Sequence, residues 1–208
     1  LNNESLGKDN KAFIVNANEK LSEDTTVYRK DRVFMYIHLE DEKEPPTEAI
    51  LTELRQKGFP VIEITPPNQY AVGGLFYLLE IATVVLGHKM RVNPFDQPGV
   101  QKGKDITQEV LNGQRQSAQA VETEDGFKIY LSDQLLAKLG IQRAQITEFS
   151  LYQILMEFLS LAAPSQYYAQ LVYTYEDELE GSEFAKLRYA IRDYTRKPVM
   201  LGVCPIYQ

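Results

Sequence analysis

The sequence predicts an α/β fold: strand–helix–strand units of parallel strands, with a C-terminal α/β extension. Two passages and the composition carry that prediction. The runs Val33-Phe34-Met35-Tyr36-Ile37 and Val61-Ile62-Glu63-Ile64 are short and β-prone, with a helical spacing of apolar residues between them. The same strand, helix, strand order recurs over residues 167–175, 182–195 and 198–204. A parallel strand covered on both faces reads as a continuous apolar run, and parallel neighbours need a crossover between them, usually a helix. With 208 residues, 44% of them hydrophobic and 11% aromatic, the chain can bury a substantial core.

Residues 1–30 are polar apart from the short apolar run 12–15 and read as the entry to a domain. After the first strand, Glu44-Pro45-Pro46-Thr47 breaks the chain, and Ile50, Leu51 and Leu54 then fall at helical spacing until Gly58 ends the helix. Following the second strand, residues 70–88 form a long helix apolar nearly all round, which predicts cover on most sides. Residues 91–104 join this helix to a turn and then to a basic helix running to about Leu111. Pro94, Asn93, Asp96 and Gly99 stop one helix and start another; Asp96 can cap free N–H groups, and Pro98 is tolerated in a first turn. Residues 112–126 are polar and periodless, an exposed connection. Beyond it come a strand at 127–131, a short helix at 132–138 ended by Gly140, and a helix at 147–161 with a wide apolar face. The organisation expected is a domain over 1–111, the connection 112–126 and a C-terminal α/β subdomain over 127–208. The acidic run Glu176-Asp177-Glu178 reads as a solvated loop.

Charge and residue counts exclude several function classes. A formal net charge of −7 argues against a general nucleic-acid binder, because that affinity comes from clustered Lys and Arg. The one cysteine, Cys204, permits neither an internal disulfide nor a multi-cysteine metal site, fits a reducing cytosol, and reads as a small buried hydrophobe. With two histidines as well, no metal is expected, and no Gly-x-Gly-x-x-Gly indicates a dinucleotide cofactor. The apolar run 75–86 contains Glu80 and is shorter than the ~20 residues that span a bilayer, so no membrane segment is expected. No charged and apolar leader precedes the first strand, and a cytoplasmic location is expected. A chain that opens on Leu1 and closes just past a strand is expected to be a fragment of a longer protein.

Two motifs point to a chemistry. Glu4-Ser5-Leu6-Gly7-Lys8 and, later, Phe95-Asp96-Gln97-Pro98-Gly99-Val100-Gln101-Lys102-Gly103-Lys104 place a carboxylate, a glutamine and a lysine in sequence contexts rich in turn residues. By residue type alone Glu4 is a solvated carboxylate, and Lys102 and Lys104 are exposed helix lysines. Seven residues apart on a helix, Gln97 and Lys104 would share nearly one face, about 10 Å apart along the axis.

Together the motifs resemble the Glu-Ser-x-Gly-Lys and Phe-Asp-Gln-x-Gly-Val-Glu-x-Gly-Lys elements of the phosphoglucose isomerase family. Gly74-Leu75-Phe76-Tyr77-Leu78-Leu79-Glu80 resembles the helix that precedes the second element. The resemblance is strongest over 1–105 and is similar in character to the isomerase parts of bifunctional transaldolase/phosphoglucose isomerases. It implies a sugar-isomerase (SIS) domain, a doubly wound, mostly parallel sheet flanked by helices and the C-terminal one in a homodimeric parent acting on glucose 6-phosphate and fructose 6-phosphate. It implies Glu4 as catalytic base, Lys104 as a catalytic cation near the sugar oxygens, and Gln97 as a substrate-binding group. A base is needed because aldose–ketose interconversion moves a proton between neighbouring carbons through a cis-enediol. Burial would raise the carboxyl pKa toward working pH, and a lysine would stabilise the developing enediolate.

Leu6 stands where the family has Asn or Thr, and Gln101 where it has Glu. The ring-opening histidine of the family has no match: His38 follows a strand and His88 ends a helix, both structural by context. A Ser/Thr-rich phosphate loop is also missing, so the chain alone is expected to be inactive. Two other readings are a non-catalytic sugar-phosphate-binding module and an oligomerisation domain using residues 149–175.

Overall fold

The computed structural model describes residues 2–9, 11, 14–17, 19–96, 98–115, 119–174, 179 and 181–203, with Asn2 and Glu4 described by backbone alone. The chain forms two compact units, one of Leu1–Asp96 with Tyr167–Gln208 and one of Gln97–Gln166. This division differs from the one anticipated from composition. Residues 167–208 group with the first unit, and the stretch 112–126 lies inside the second.

The first unit is α/β. Strand β1 (Phe34–Ile37), helix α2 (Pro45–Gln56) and strand β2 (Val61–Ile64) form a βαβ crossover, with β1 and β2 parallel from Phe34↔Val61 to Ile37↔Ile64. Prolines open α2, where their missing N–H groups cost nothing. Gly58, at φ 79°, closes it as the Phe59 N–H returns to the Leu54 carbonyl. The inner faces bury Leu51, Leu54, Val27, Tyr28 and Phe59, and Tyr28, Phe34 and Phe59 meet edge to face at 5.0 and 5.7 Å. β1 is covered on one side only: Phe34 and Tyr36 pack inward, while Met35 and Ile37 are exposed.

A second crossover joins β5 (Tyr168–Val172), α7 (Glu183–Thr195) and β6 (Val199–Val203), parallel over five residue pairs. Ser182 caps α7 through the Ala185 N–H. Among the described residues each sheet has two strands. Cys204 and the run 176–178 lie outside the described residues.

Buried charge ties this crossover to the start of the chain. Arg188 and Arg192, both on α7 and both buried, hold the two carboxylate oxygens of Glu19 at 3.4 and 2.8 Å. Arg192 also donates to the Lys20 carbonyl and to Asp193, and its guanidinium lies 5.7 Å from the Tyr28 ring. Burial works against the Arg192 charge, yet its hydrogen bonds to Asp193 and Glu19 prevail and raise its pKa.

Helix α3 (Val72–Met90) corrects two expectations. With the turn before it the helix spans 22 residues, Gln69–Met90, long and apolar enough by length and composition to cross a membrane, so the run 75–86 understated it. Nor is it covered on most sides. Thr83 and Gly87 are buried on one face, while Tyr77, Leu78, Ile81, Val84 and Val85 are exposed. At 100° per residue those five form one stripe away from the packed face, so an apolar face of the helix stays open among the described residues.

The second unit contains α4 (Pro98–Leu111), the hairpin of β3 (Val121–Glu122) and β4 (Lys128–Ile129), α5 (Asp133–Leu139), a 3-10 turn at Arg143–Glu148 and α6 (Leu151–Ser160). β3 falls in the stretch expected to be unstructured. Thr123 and Asp125 build its turn: the Thr123 hydroxyl donates to Asp125, which accepts from the Leu151 N–H at the head of α6. The helix expected at 147–161 starts at Leu151 because Ser150 and Gln153 form a capping box there. Leu136, Ile146 and Ile154 make this unit's core.

Leu54, at 0% exposure, and Ile81, at 46%, separate the packed from the open surfaces. Leu54→Ala should lower unfolding free energy by about 2–5 kcal/mol, whereas Ile81→Ala should lose less than about 1 kcal/mol. Urea denaturation followed by circular dichroism reads both values.

Candidate functional site

Helix α1 (Asn2–Leu6) carries Glu4, whose side chain lies outside the described residues. Its surroundings are well defined. The Asn3 amide pairs with residue 15 as a strand neighbour would, accepting from the Val15 N–H at 2.7 Å and donating to its carbonyl at 2.9 Å. Leu6 is fully buried. The departure from the family pattern at Leu6 is therefore a core side chain, not a polar group at a site. Gly7 follows because a Cβ there would meet the Asn3 carbonyl oxygen at 2.7 Å.

Leu6 packs where α3 ends. A Cβ on Gly87 would stand 3.3 Å from the Leu6 side chain and 3.2 Å from the Pro94 ring, so this glycine is the notch in which the two motif regions meet. Arg91 takes the left-handed conformation at φ 55°, and the Val92 N–H returns to the Gly87 carbonyl, turning the chain sharply into residues 93–96. Asn93 accepts from the Phe95 N–H and shapes that turn.

Lys8 joins the motifs. Its side chain is 8% exposed, and its ammonium donates to the Asp96 carboxylate at 2.7 Å, to the Asn93 carbonyl at 2.5 Å and to the Asp96 carbonyl. The hydrogen bond from Lys8 is the main cause holding the Asp96 carboxyl below its ordinary range. Residues 85 to 88 apart in sequence are thereby joined. Part of this chain is similar to glucose-6-phosphate isomerases. Over 86 residues it is 36% identical to the glucose-6-phosphate isomerase of Carboxydothermus hydrogenoformans, covering 39% of this chain and 18% of that protein. The Leptospira biflexa glucose-6-phosphate isomerase is 46% identical over 50 residues, covering 23% of this chain and 11% of its own length. A probable glucose-6-phosphate isomerase of Methanococcus maripaludis is 34% identical over 73 residues, 33% of this chain and 17% of its own. The matched stretches thus span less than a fifth of these relatives. No family model matches the chain. No solved structure matches it.

The remaining residues predicted for the site are distributed as follows. Gln97, next to Asp96 in sequence, lies outside the described residues. Lys104 is exposed on α4, which buries none of its residues. Gln101, standing where the family has glutamate, donates to Asp105 one turn on at 2.8 Å. Sequence reasoning named Lys8 only as the end of a motif and Asp96 only as a helix cap. Their ion pair is non-local, and no local signal could reveal it.

A second polar cluster surrounds the ends of β1 and β2. His38 places Nδ1 2.7 Å from the Leu39 carbonyl and Nε2 3.1 Å from Glu63, consistent with the structural role expected for it. Atoms of His38, Glu48 and Glu63 lie within 4.8 Å of one another, a spacing that could hold a metal ion. However, Lys43 approaches Glu63 at 2.9 Å and Glu48 at 3.5 Å, and Arg55 reaches Glu63 at 2.9 Å, so side-chain cations already balance these carboxylates. Hydrogen bonds from Lys43 and then His38 lower the Glu63 carboxyl from 4.5 to about 2.

Gly7→Ala should destabilise the protein by about 1–3 kcal/mol, because the added methyl would press on the Asn3 carbonyl of α1 and force the chain at residue 7 to shift; thermal unfolding measures this. Glu63 has a depressed folded-state pKa, so its contribution is complete above the ordinary value of 4.5 and is lost as pH falls through about 2. The stability gap between wild type and Glu63→Gln, from urea unfolding across pH, should therefore be full at neutral pH and close progressively between 4.5 and 2.

Proposed function

We propose that this chain is part of a glucose-6-phosphate isomerase that interconverts glucose 6-phosphate and fructose 6-phosphate by base-catalysed proton transfer through a cis-enediol. The observation that carries the reading is the Lys8 tie between the two motif regions, on a chain partly similar to several glucose-6-phosphate isomerases. In this reading Glu4 takes the C2 proton of the open-chain aldose and returns it to C1. Lys104 supplies positive charge where the enediolate oxygen develops, and Gln97 both donates to and accepts from sugar hydroxyls. The two parallel βαβ crossovers are consistent with a SIS-like domain. The phosphate cradle and the ring-opening histidine lie in other parts of a longer cytoplasmic enzyme, so this chain by itself does not turn over substrate.

The test is Glu4→Gln in the full-length protein, with solvent deuterium incorporation at C1 and C2 as the readout. Exchange should fall by about 10²-fold or more, the usual contribution of a general base, while fructose 6-phosphate still binds. Exchange at the wild-type rate would remove Glu4 from the mechanism. Binding without exchange in the wild type would favour a sugar-phosphate-binding module.

A further inference from the structure

A lysine ammonium has three donors and accepts nothing, and it is strongly hydrated when free. Lys8 withdraws from water to spend its donors on one short turn, residues 93–96, meeting two main-chain carbonyls and one carboxylate oxygen. A surface lysine satisfying a nearby charge would need only the carboxylate. The two carbonyl contacts instead make Lys8 sensitive to where the turn's backbone lies.

The neighbouring lysine works the same way. Lys11 donates at 2.8 Å to the carbonyl of Met90, the last residue of α3. Free carbonyls at a helix C-terminus carry partial negative charge, which cations satisfy. A tight turn presents both lysines: the Lys11 N–H returns to the Lys8 carbonyl, with Asp9 left-handed at φ 53°. Leu6, Gly87 and Pro94 meet in the same region. The two lysines and this packing together hold the end of α1 against the end of α3 and the turn at residues 93–96.

We propose that Lys8 is a positioning residue: through the Asp96 carboxylate and the carbonyls of residues 93 and 96 it fixes the backbone of α1, and with it Glu4, relative to the turn at residues 93–96. This rests on the isomerase reading of Glu4 and Gln97. A base displaced by about 1 Å can lose about 10²-fold in rate, because proton transfer needs a near-attack geometry that substrate binding does not. Lys8 never touches the sugar, so its loss should appear in kcat and leave KM little changed. The Asp96 carboxylate offers one of three acceptors and the two main-chain carbonyls persist when it is replaced, so Asp96→Asn should do less harm than Lys8→Met. Lys8→Arg should not restore function, since a planar guanidinium cannot direct three donors onto this convergent set.

The experiment uses the full-length protein with Lys8→Met, Lys8→Arg and Asp96→Asn. Lys8→Met is expected to lower kcat by about 10- to 100-fold with KM for fructose 6-phosphate within about threefold, Asp96→Asn to lower kcat less, and amide exchange to quicken over residues 6–8 and 91–96. If Lys8→Met does not fold, Lys8→Arg and Asp96→Asn supply the same kcat, KM and exchange comparison. An active wild type with Lys8→Met, or both substitutes, unimpaired in kcat would overturn the positioning role alone. A wild type that does not isomerise would overturn the isomerase reading and the role with it, whereas faster exchange would still confirm the structural tie. A rise in KM at constant kcat would make Lys8 a binding residue and likewise overturn the proposal.

Discussion

The first unit depends on the pairing of one carboxylate with two buried arginines. Glu19 lies in a segment with no regular structure of its own, and Arg188 and Arg192 project from successive turns of α7. Two guanidinium groups in a low-dielectric setting are expensive unless their charge is matched, and breaking such a pair leaves an uncompensated buried ion. The arrangement commits the early chain to lie on the C-terminal crossover. It also reaches the other crossover, because the Arg192 guanidinium faces the Tyr28 ring and Tyr28 belongs to the core beneath β1 and α2. Two βαβ units with no strand pairing between them among the described residues are thereby held in one body.

The motif region follows the same logic at smaller scale. Its parts come from the two ends of a segment of about ninety residues, and neither end has enough structure to hold itself. α1 is only five residues long, too short to be stable as an isolated helix. Its order comes from tertiary contacts: Asn3 on residue 15, Leu6 in the Gly87 notch, and Lys8 on the turn at 93–96. Glycine is required at two of these points for close approach. Gly7 clears a carbonyl and Gly87 clears a leucine and a proline ring, and neither needs a positive φ.

The legible parts of the sequence were those with local causes. Both parallel crossovers, the glycine stop of α2 and the Gly140 stop of α5 follow from patterning and end chemistry. The misread parts have non-local causes. β3 is two residues long and exists because β4 pairs with it and because Asp125 also serves α6. The outer stripe of α3 and the outer face of β1 have core-like composition yet are open in this chain, since apolarity records that a face suits packing and not whether a partner is present. Grouping of residues 167–208 with the first unit depends on Glu19 meeting α7, a contact between residues some 170 positions apart.

By itself the sequence determined the α/β class, the order of the main helices and parallel strand pairs, and two motifs that resemble those of phosphoglucose isomerases. Periodicity, caps and motif spacing are short-range properties, and each can be read within a window of a few residues. Only the tertiary structure decided that Lys8 meets Asp96, that Leu6 is a core residue, and that Glu63 is balanced by Lys43 and Arg55. Those outcomes turn on which distant groups the chain brings within reach of one another, and that belongs to the assembled fold, not to any residue in it.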